Sequence, residues 1–163
     1  MYLVLVIALI GVLTFVKLNS SGKSTRKIET IWAGLMIFIF AALRGQSVGI
    51  DLSTYSYNYV LIASRSFSEI LNNASGYTWS RDKVFWIFIR LLTELSLNPQ
   101  IMIIVISAIV ALGVSTLIFR SKSDVLFCFL IFICLRYFSF TLTGLRQACA
   151  MAILFFALKQ LEL

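Results

Sequence analysis

Residues 101–119, IMIIVISAIVALGVSTLIF, run for nineteen positions without a charge or a proline. A helix needs about 20 such residues to cross roughly 30 Å of hydrocarbon. In lipid every backbone N–H and C=O must be satisfied within the segment or across a closed barrel, so an isolated apolar run of this length reads as a helix. Moving toward the C-terminus, the turn Arg120-Ser121-Lys122-Ser123-Asp124 is followed by a second apolar run over 125–142, broken only by Arg136. A third opens near Gly144 and keeps its helical pattern over 144–161. Moving toward the N-terminus, Asn98-Pro99 ends a shorter apolar stretch at 84–97, because proline disfavours helical geometry in the residue before it. Two further runs, 28–43 and 2–18, complete the series.

This pattern predicts an all-α fold, a polytopic transmembrane helical bundle with about five spans (2–18, 28–43, 101–119, 125–142, 144–161). The whole chain, 1–163, reads as a single integral membrane domain. The hydrophobic share of 60% and mean hydropathy of +0.96 exceed those of soluble domains, which excludes a soluble bundle. The first two runs are short for a bilayer, so thinning or snorkelling ends such as Lys17 are expected. A cleaved signal peptide does not fit the first run, since its basic residues follow the apolar segment instead of preceding it. The stretch 44–83 is rich in Ser, Asn, Thr and Tyr and reads as an ordered loop with short helices near 54–64 and 67–72. The segment 84–97 is short for a full crossing, and Arg90 and Glu94 stand at i,i+4 on one helical face, which favours an interfacial or re-entrant helix over a crossing.

The net charge of +7 would suggest nucleic acid in a soluble chain, but in a membrane protein basic residues gather in cytoplasmic loops and at anionic headgroups. Lys17, Lys23, Arg26 and Lys27 put the 17–29 loop inside and the N-terminus outside. With 84–97 at the interface, Arg120 and Lys122 are also cytoplasmic, as the same bias requires. A full crossing there would break it. Arg44, Arg136 and Arg146 then fall in the outer half of the membrane or at its face, Arg136 about 9 Å below the Leu142 end of its helix. Each could snorkel to headgroups separately; together they suit an anion.

Other chemistry is thin. Histidine is absent, which removes the commonest general base and zinc ligand, and no metal or cofactor is implied. Cys128, Cys134 and Cys149 lie in apolar runs and read as packing residues. Gly22-Lys23-Ser24-Thr25 imitates the end of a phosphate-binding loop, but Lys17 stands where its first glycine belongs and no strand precedes it. Asp51 or Ser53 could cap a helix opening near Thr54, and Asp51 could equally orient Arg44 or an incoming hydroxyl. Tyr55, Tyr57, Tyr59, Tyr77 and Trp79 could stack on sugar rings or form an interfacial belt. Gly144-Leu145-Arg146-Gln147 opens a helix, whose free N–H groups and dipole favour an anion beside the arginine.

Arg44, then Val48-Gly49-Ile50-Asp51, then Tyr55, resembles the R-x-x-x-x-G-x-D-x-x-x-Y signature of EpsG-type membrane proteins. About a hundred residues later, Gly144-Leu145-Arg146-Gln147 before an apolar helix is similar to that family's G-x-R-Q segment. The resemblance covers most of the chain, in order, and corresponds to the N-terminal part of proteins usually about twice as long; a truncated frame or fragment is the expectation. It implies a multi-pass protein of the bacterial plasma membrane, akin to the Wzy-like polymerases of exopolysaccharide and capsule. The implied reaction is glycosyl transfer between undecaprenyl-pyrophosphate-linked oligosaccharides at the outer face. In that reading Arg44, Asp51 and Arg146 are catalytic, and Gly49, Tyr55, Arg136 and Gln147 contact substrate. The implied partners are a polyprenyl pyrophosphate-linked oligosaccharide, the membrane and other polysaccharide-assembly proteins, with no nucleic acid. A non-catalytic scaffold or transport component of the same pathway is the competing reading.

Overall fold

The computed structural model describes residues 2–19, 23–45, 48, 49, 51–72 and 82–158. Among them all regular structure is helical: α1 Tyr2–Asn19, α2 Lys23–Ala42, α3 Leu52–Ala63, α4 Phe67–Leu71, α5 Lys83–Leu95, α6 Gln100–Arg120, α7 Val125–Cys134, α8 Tyr137–Thr143 and α9 Leu145–Ala157. These fall into two compact units, one of Met1–Arg44 with Ile104–Leu163 and one of Gly45–Ile103.

The larger unit is built on a ladder of buried apolar residues. Leu5, Leu9, Leu13 and Val16 of α1 recur at helical spacing, as do Ala33, Ile37 and Ala41 of α2 and Val125, Phe129 and Ile133 of α7, and the three helices pack on one another. The opposite face of α1 exposes Leu3, Val4, Ile7, Phe15 and Leu18. A helix apolar on both faces needs a hydrocarbon surrounding. Where burying apolar surface against lipid gains little, small residues bring backbones close. A side chain at Gly113 would lie 3.0 Å from the Ala152 backbone, which locks α6 against α9, and Gly34 of α2 directly faces Ser115 of α6.

Polar contacts fix one end of this unit. Lys17 Nζ pairs with Asp124 Oδ2 at 3.1 Å, and the Asp124 Oδ1 also accepts from the Phe127 N–H at 3.0 Å to cap α7. Arg26 donates to the carbonyls of Ile118 at 3.0 Å and of Phe119 and Ser121 at 3.3 Å, satisfying the last turn of α6. The α1–α2 and α6–α7 junctions therefore share an end, and it is the basic one. The chain leaves this unit after α2 and re-enters it on α6 at the other end, about 27 Å from Arg26 by the 18 residues to Arg44.

One expectation changes, and a second stands only in its coarser form. The run 125–142 is not one straight helix: α7 and α8 meet at 58°. Arg136 takes φ 63°, the left-handed conformation that usually falls to glycine past a helix end. Its N–H donates to Ile133 at 3.0 Å to close α7, while its carbonyl accepts from Phe140 at 2.9 Å to open α8. The count of about five spans is also coarser in the structure. Only α6 is long and apolar enough alone among the described residues, with the bent α7–α8 pair a second if it is one span. α9 is 13 residues, roughly 20 Å, and the first turns of α2 are charged.

The smaller unit contains the helices expected near 54–64, 67–72 and 84–97, observed as α3, α4 and α5. Leu52, Tyr55, Tyr59 and Ile62 of α3 pack on α5, whose buried face is Trp86, Ile89 and Leu92. The Tyr59 hydroxyl donates to the Ser96 carbonyl at 2.6 Å. Ser66 and Glu69 form a reciprocal capping box on α4. Arg90 pairs with Glu94 as its spacing predicts, and also donates to the Arg65 carbonyl at 2.9 Å and to Thr93 Oγ1 at 3.0 Å, with its guanidinium 5.2 Å over Phe67. It is the strut that holds α5 to α4 and to the end of α3.

Candidate functional site

The first motif divides between the two units. Arg44 lies two residues past α2 and is 4% exposed. Burial draws its guanidinium down to about 10, still far above physiological pH, so the buried charge persists. Gly49 has φ 123°, open only to glycine without strain, and its carbonyl accepts from the Leu52 N–H at 3.3 Å. The glycine of the motif is thus the turn that opens α3. Asp51 occupies the N-cap of α3, but its side chain makes no capping bond and is exposed. Of the two roles read for it, capping is unused and the carboxylate faces outward. Tyr55 is buried, its ring 6.0 Å from Phe85 and 6.2 Å from Trp86. Tyr57 is the exposed member of the trio Tyr55, Tyr57 and Tyr59.

The second motif and Arg136 belong to the larger unit. Arg146 and Gln147 stand in the first turn of α9, which has no acidic residue and no side-chain cap at Gly144. A cation in the first turn opposes the helix dipole by about 0.3–1 kcal/mol unless an anion sits with it. Glycine at 144 gives room to Gln147, whose Oε1 lies 3.0 Å from the position a Cβ would take. Arg136 lines an open groove of about 560 Å³ with Leu3, Val6, Ile133, Cys134 and Ser139. Its level follows from two directions: twelve residues from Asp124 on α7, and eleven to fourteen residues from Lys17 to Val6 and Leu3 on α1, both roughly 18 Å from the basic end.

The structure therefore carries Arg44, Arg136, Arg146 and Gln147 on one unit and Gly49, Asp51 and Tyr55 on the other. Among the described residues no group of histidine, cysteine or acidic side chains has metal-binding proximity. Gln46, Ser47, Ile50, Tyr77, Trp79, Gly22 and Lys159 lie outside the described residues.

A sequence model of the EpsG family matches residues 28–162. The chain belongs to the EpsG family. EpsG membership, with the long apolar α6, makes it an exopolysaccharide-related membrane protein. The match takes in both motifs and all three arginines. No curated protein and no solved structure matches the chain.

Sequence reasoning missed two features. The i,i+4 spacing of Tyr55 and Tyr59, in register with Leu52 and Ile62, is the signal that those rings face inward. A cleft lined by Thr30, Gly34 and Ser115 also went unseen, although a glycine and a serine within otherwise large apolar runs mark a close helix approach.

Proposed function

We propose that this EpsG-family chain acts in glycosyl transfer between undecaprenyl-pyrophosphate-linked oligosaccharides at the outer face of the bacterial plasma membrane. The observation that carries the reading is the place of Arg146, a permanent cation in the first turn of a 13-residue helix within the G-x-R-Q segment that the family match covers. Orphan N–H groups, dipole and guanidinium there all favour one kind of guest, a phosphate or pyrophosphate.

In the reaction the bond from the donor's anomeric carbon to the pyrophosphate oxygen breaks. A bond from that carbon to an acceptor hydroxyl forms, the hydroxyl proton passes to the Asp51 carboxylate, and polyprenyl pyrophosphate departs. Arg44 and Arg146 balance the charge that grows on the leaving pyrophosphate, with Arg136 and Gln147 as further contacts. Gly49 and Tyr55 act through the geometry they give Asp51, one as the turn and the other as the anchor of α3. The basic 17–29 and 120–122 segments support an inward basic end, hence an extracytoplasmic N-terminus.

The test is polymer formation in cells carrying Arg44→Ala or Arg146→Ala in the full protein, with membrane insertion measured in parallel. Each variant should lower transfer about 10²–10³-fold, the usual loss for one oxyanion-stabilising donor. The Lys variants should also fail, because the bidentate fork is lost. Normal polymer from both Ala variants would reject the reading. Normal transfer by purified partners with failed assembly would instead favour a scaffold role.

A further inference from the structure

The other end of the larger unit holds a site that neither motif touches. α2 and α6 touch at Gly34 and Ser115 and leave beside that contact a cleft of about 350 Å³, walled by Gly34, Leu35 and Phe38 on one side and Ala108, Ala111 and Leu112 on the other. It shares Thr30, Ile31, Leu112 and Ser115 with a wider mouth of about 530 Å³, which ends at Lys27 and Arg120. We propose that this cleft binds one anionic diacyl glycerophospholipid from the leaflet at the basic end, headgroup between Lys27 and Arg120 and an acyl chain along Gly34 and Ala108.

Charge comes first. The mouth has one cation from each helix and no acidic residue in its lining. Among the described residues the ion pairs are Lys17–Asp124 and Arg90–Glu94, and Arg26 is spent on the α6 carbonyls, so Lys27 and Arg120 answer to no carboxylate.

Length decides between occupants. Lys27 to Phe38 spans eleven residues and Arg120 to Ala108 twelve, about 17–18 Å along each helix. That is close to the roughly 15 Å of one leaflet's hydrocarbon and well short of a whole crossing, which fits a lipid tail and not a docked transmembrane helix. Exposed Ile31, Leu35 and Leu112 leave the cleft open sideways to the bilayer.

The polar atoms choose the lipid class. The hydroxyls of Thr30 and Thr116 bond back to their own helices at 2.9 and 2.8 Å. Ser115 lines both the cleft and the mouth, and its Oγ, buried against Gly34, has no hydrogen-bond partner, so a turn about χ1 would bring a free donor to the cleft. It lies five residues below Arg120, about 8 Å, just deeper than a headgroup layer of roughly 5–7 Å. A glycerophospholipid places its ester carbonyls at that depth, and such a carbonyl would accept from Ser115. An isoprenoid phosphate has no acceptor there.

The test is native mass spectrometry of the purified full chain after delipidation, titrated with phosphatidylglycerol, phosphatidylcholine of identical acyl chains, and the diether analogue of phosphatidylglycerol. Each headgroup contact with Lys or Arg should give about fivefold, so phosphatidylglycerol should outbind phosphatidylcholine about 30-fold and lose that margin in Lys27→Gln/Arg120→Gln. Ala108→Phe, which fills the cleft without touching charge, should abolish the tight adduct. Ser115→Ala should weaken the ester lipid about two- to tenfold and leave the diether lipid unchanged. Equal binding of both headgroups, or wild-type binding by Ala108→Phe, would overturn the proposal. So would an Ala108→Phe variant that changes only the oligomeric state, since the occupant would then be another helix. If that variant fails to fold, the nearly isosteric Ser115→Ala decides: equal effects on ester and diether lipid contradict the assignment. No arm reads polymer, so the result is separate from the fate of Arg44 and Arg146.

Discussion

Replacing Arg90 by methionine isolates what holds the smaller unit together. The substitution keeps the aliphatic stem that packs along α5 and removes the guanidinium. A charged-group hydrogen bond such as that to the Arg65 carbonyl, at 2.9 Å, contributes about 1.5–3 kcal/mol. The stack over Phe67, at 5.2 Å, adds about 0.5–1 kcal/mol, and the Glu94 pair, whose acid is largely exposed, about 0.3–0.5 kcal/mol. The sum, about 2.3–4.5 kcal/mol, corresponds to roughly two to three orders of magnitude in the opening equilibrium of α5. Hydrogen exchange on the full chain in detergent reads this directly. The α5 amides should lose protection by that factor, while those of α1 and α2 in the other unit hold theirs. Glu94→Gln should cost less than threefold. If Arg90→Met matched Glu94→Gln, the guanidinium would be serving only its i,i+4 neighbour and the strut would not exist.

Other consequences follow from single contacts. The Asp124 carboxyl is held below its ordinary range, first by the Phe127 N–H and then by Lys17. Its contribution is complete above the unfolded pKa of about 3.9 and is lost as pH falls through the lower folded value. Thermal unfolding should therefore show an acid-side decline that Asp124→Ala, which removes the cap at a cost of about 1 kcal/mol, abolishes, and Asp124→Asn should retain most of the cap. At Arg136, glycine relieves a left-handed conformation costing about 1–2 kcal/mol but adds about 0.5–1 kcal/mol of chain entropy. Arg136→Gly should thus unfold within about 1 kcal/mol of wild type while polymer formation drops; a variant that is markedly destabilised would show the arginine to be part of the packing instead.

Much of this fold is written in hydropathy and punctuation. Pro99 and Asn98 separate α5 from α6, the turn at 120–124 separates α6 from α7, and Ser66 and Glu69 announce α4. The break at Arg136 is not written there. No proline or glycine marks it, and an apolar scale registers a charge without its φ angle. Site residues were legible as types and less so as environments. Gly49 and Arg146 stand where their motifs suggest, as a turn and in a first helical turn. Tyr55 reads alike in sequence whether it faces a sugar or a core, and only the α3–α5 packing buries it. The α2–α6 cleft depends on two helices 80 residues apart in sequence meeting at Gly34 and Ser115, so no local pattern foretells it.

Side-specific labelling addresses the arginine account at its root. Single cysteines at exposed positions, Gly45→Cys, Gln147→Cys and Lys122→Cys, would be placed in a chain with Cys128, Cys134 and Cys149 changed to alanine, and probed in intact cells with a membrane-impermeant maleimide. Reaction is expected at 45 and 147 from outside, and at 122 only after the membrane is opened. Labelling of 45 and 147 from opposite sides would contradict it, because Arg44 and Arg146 could not then serve one pyrophosphate.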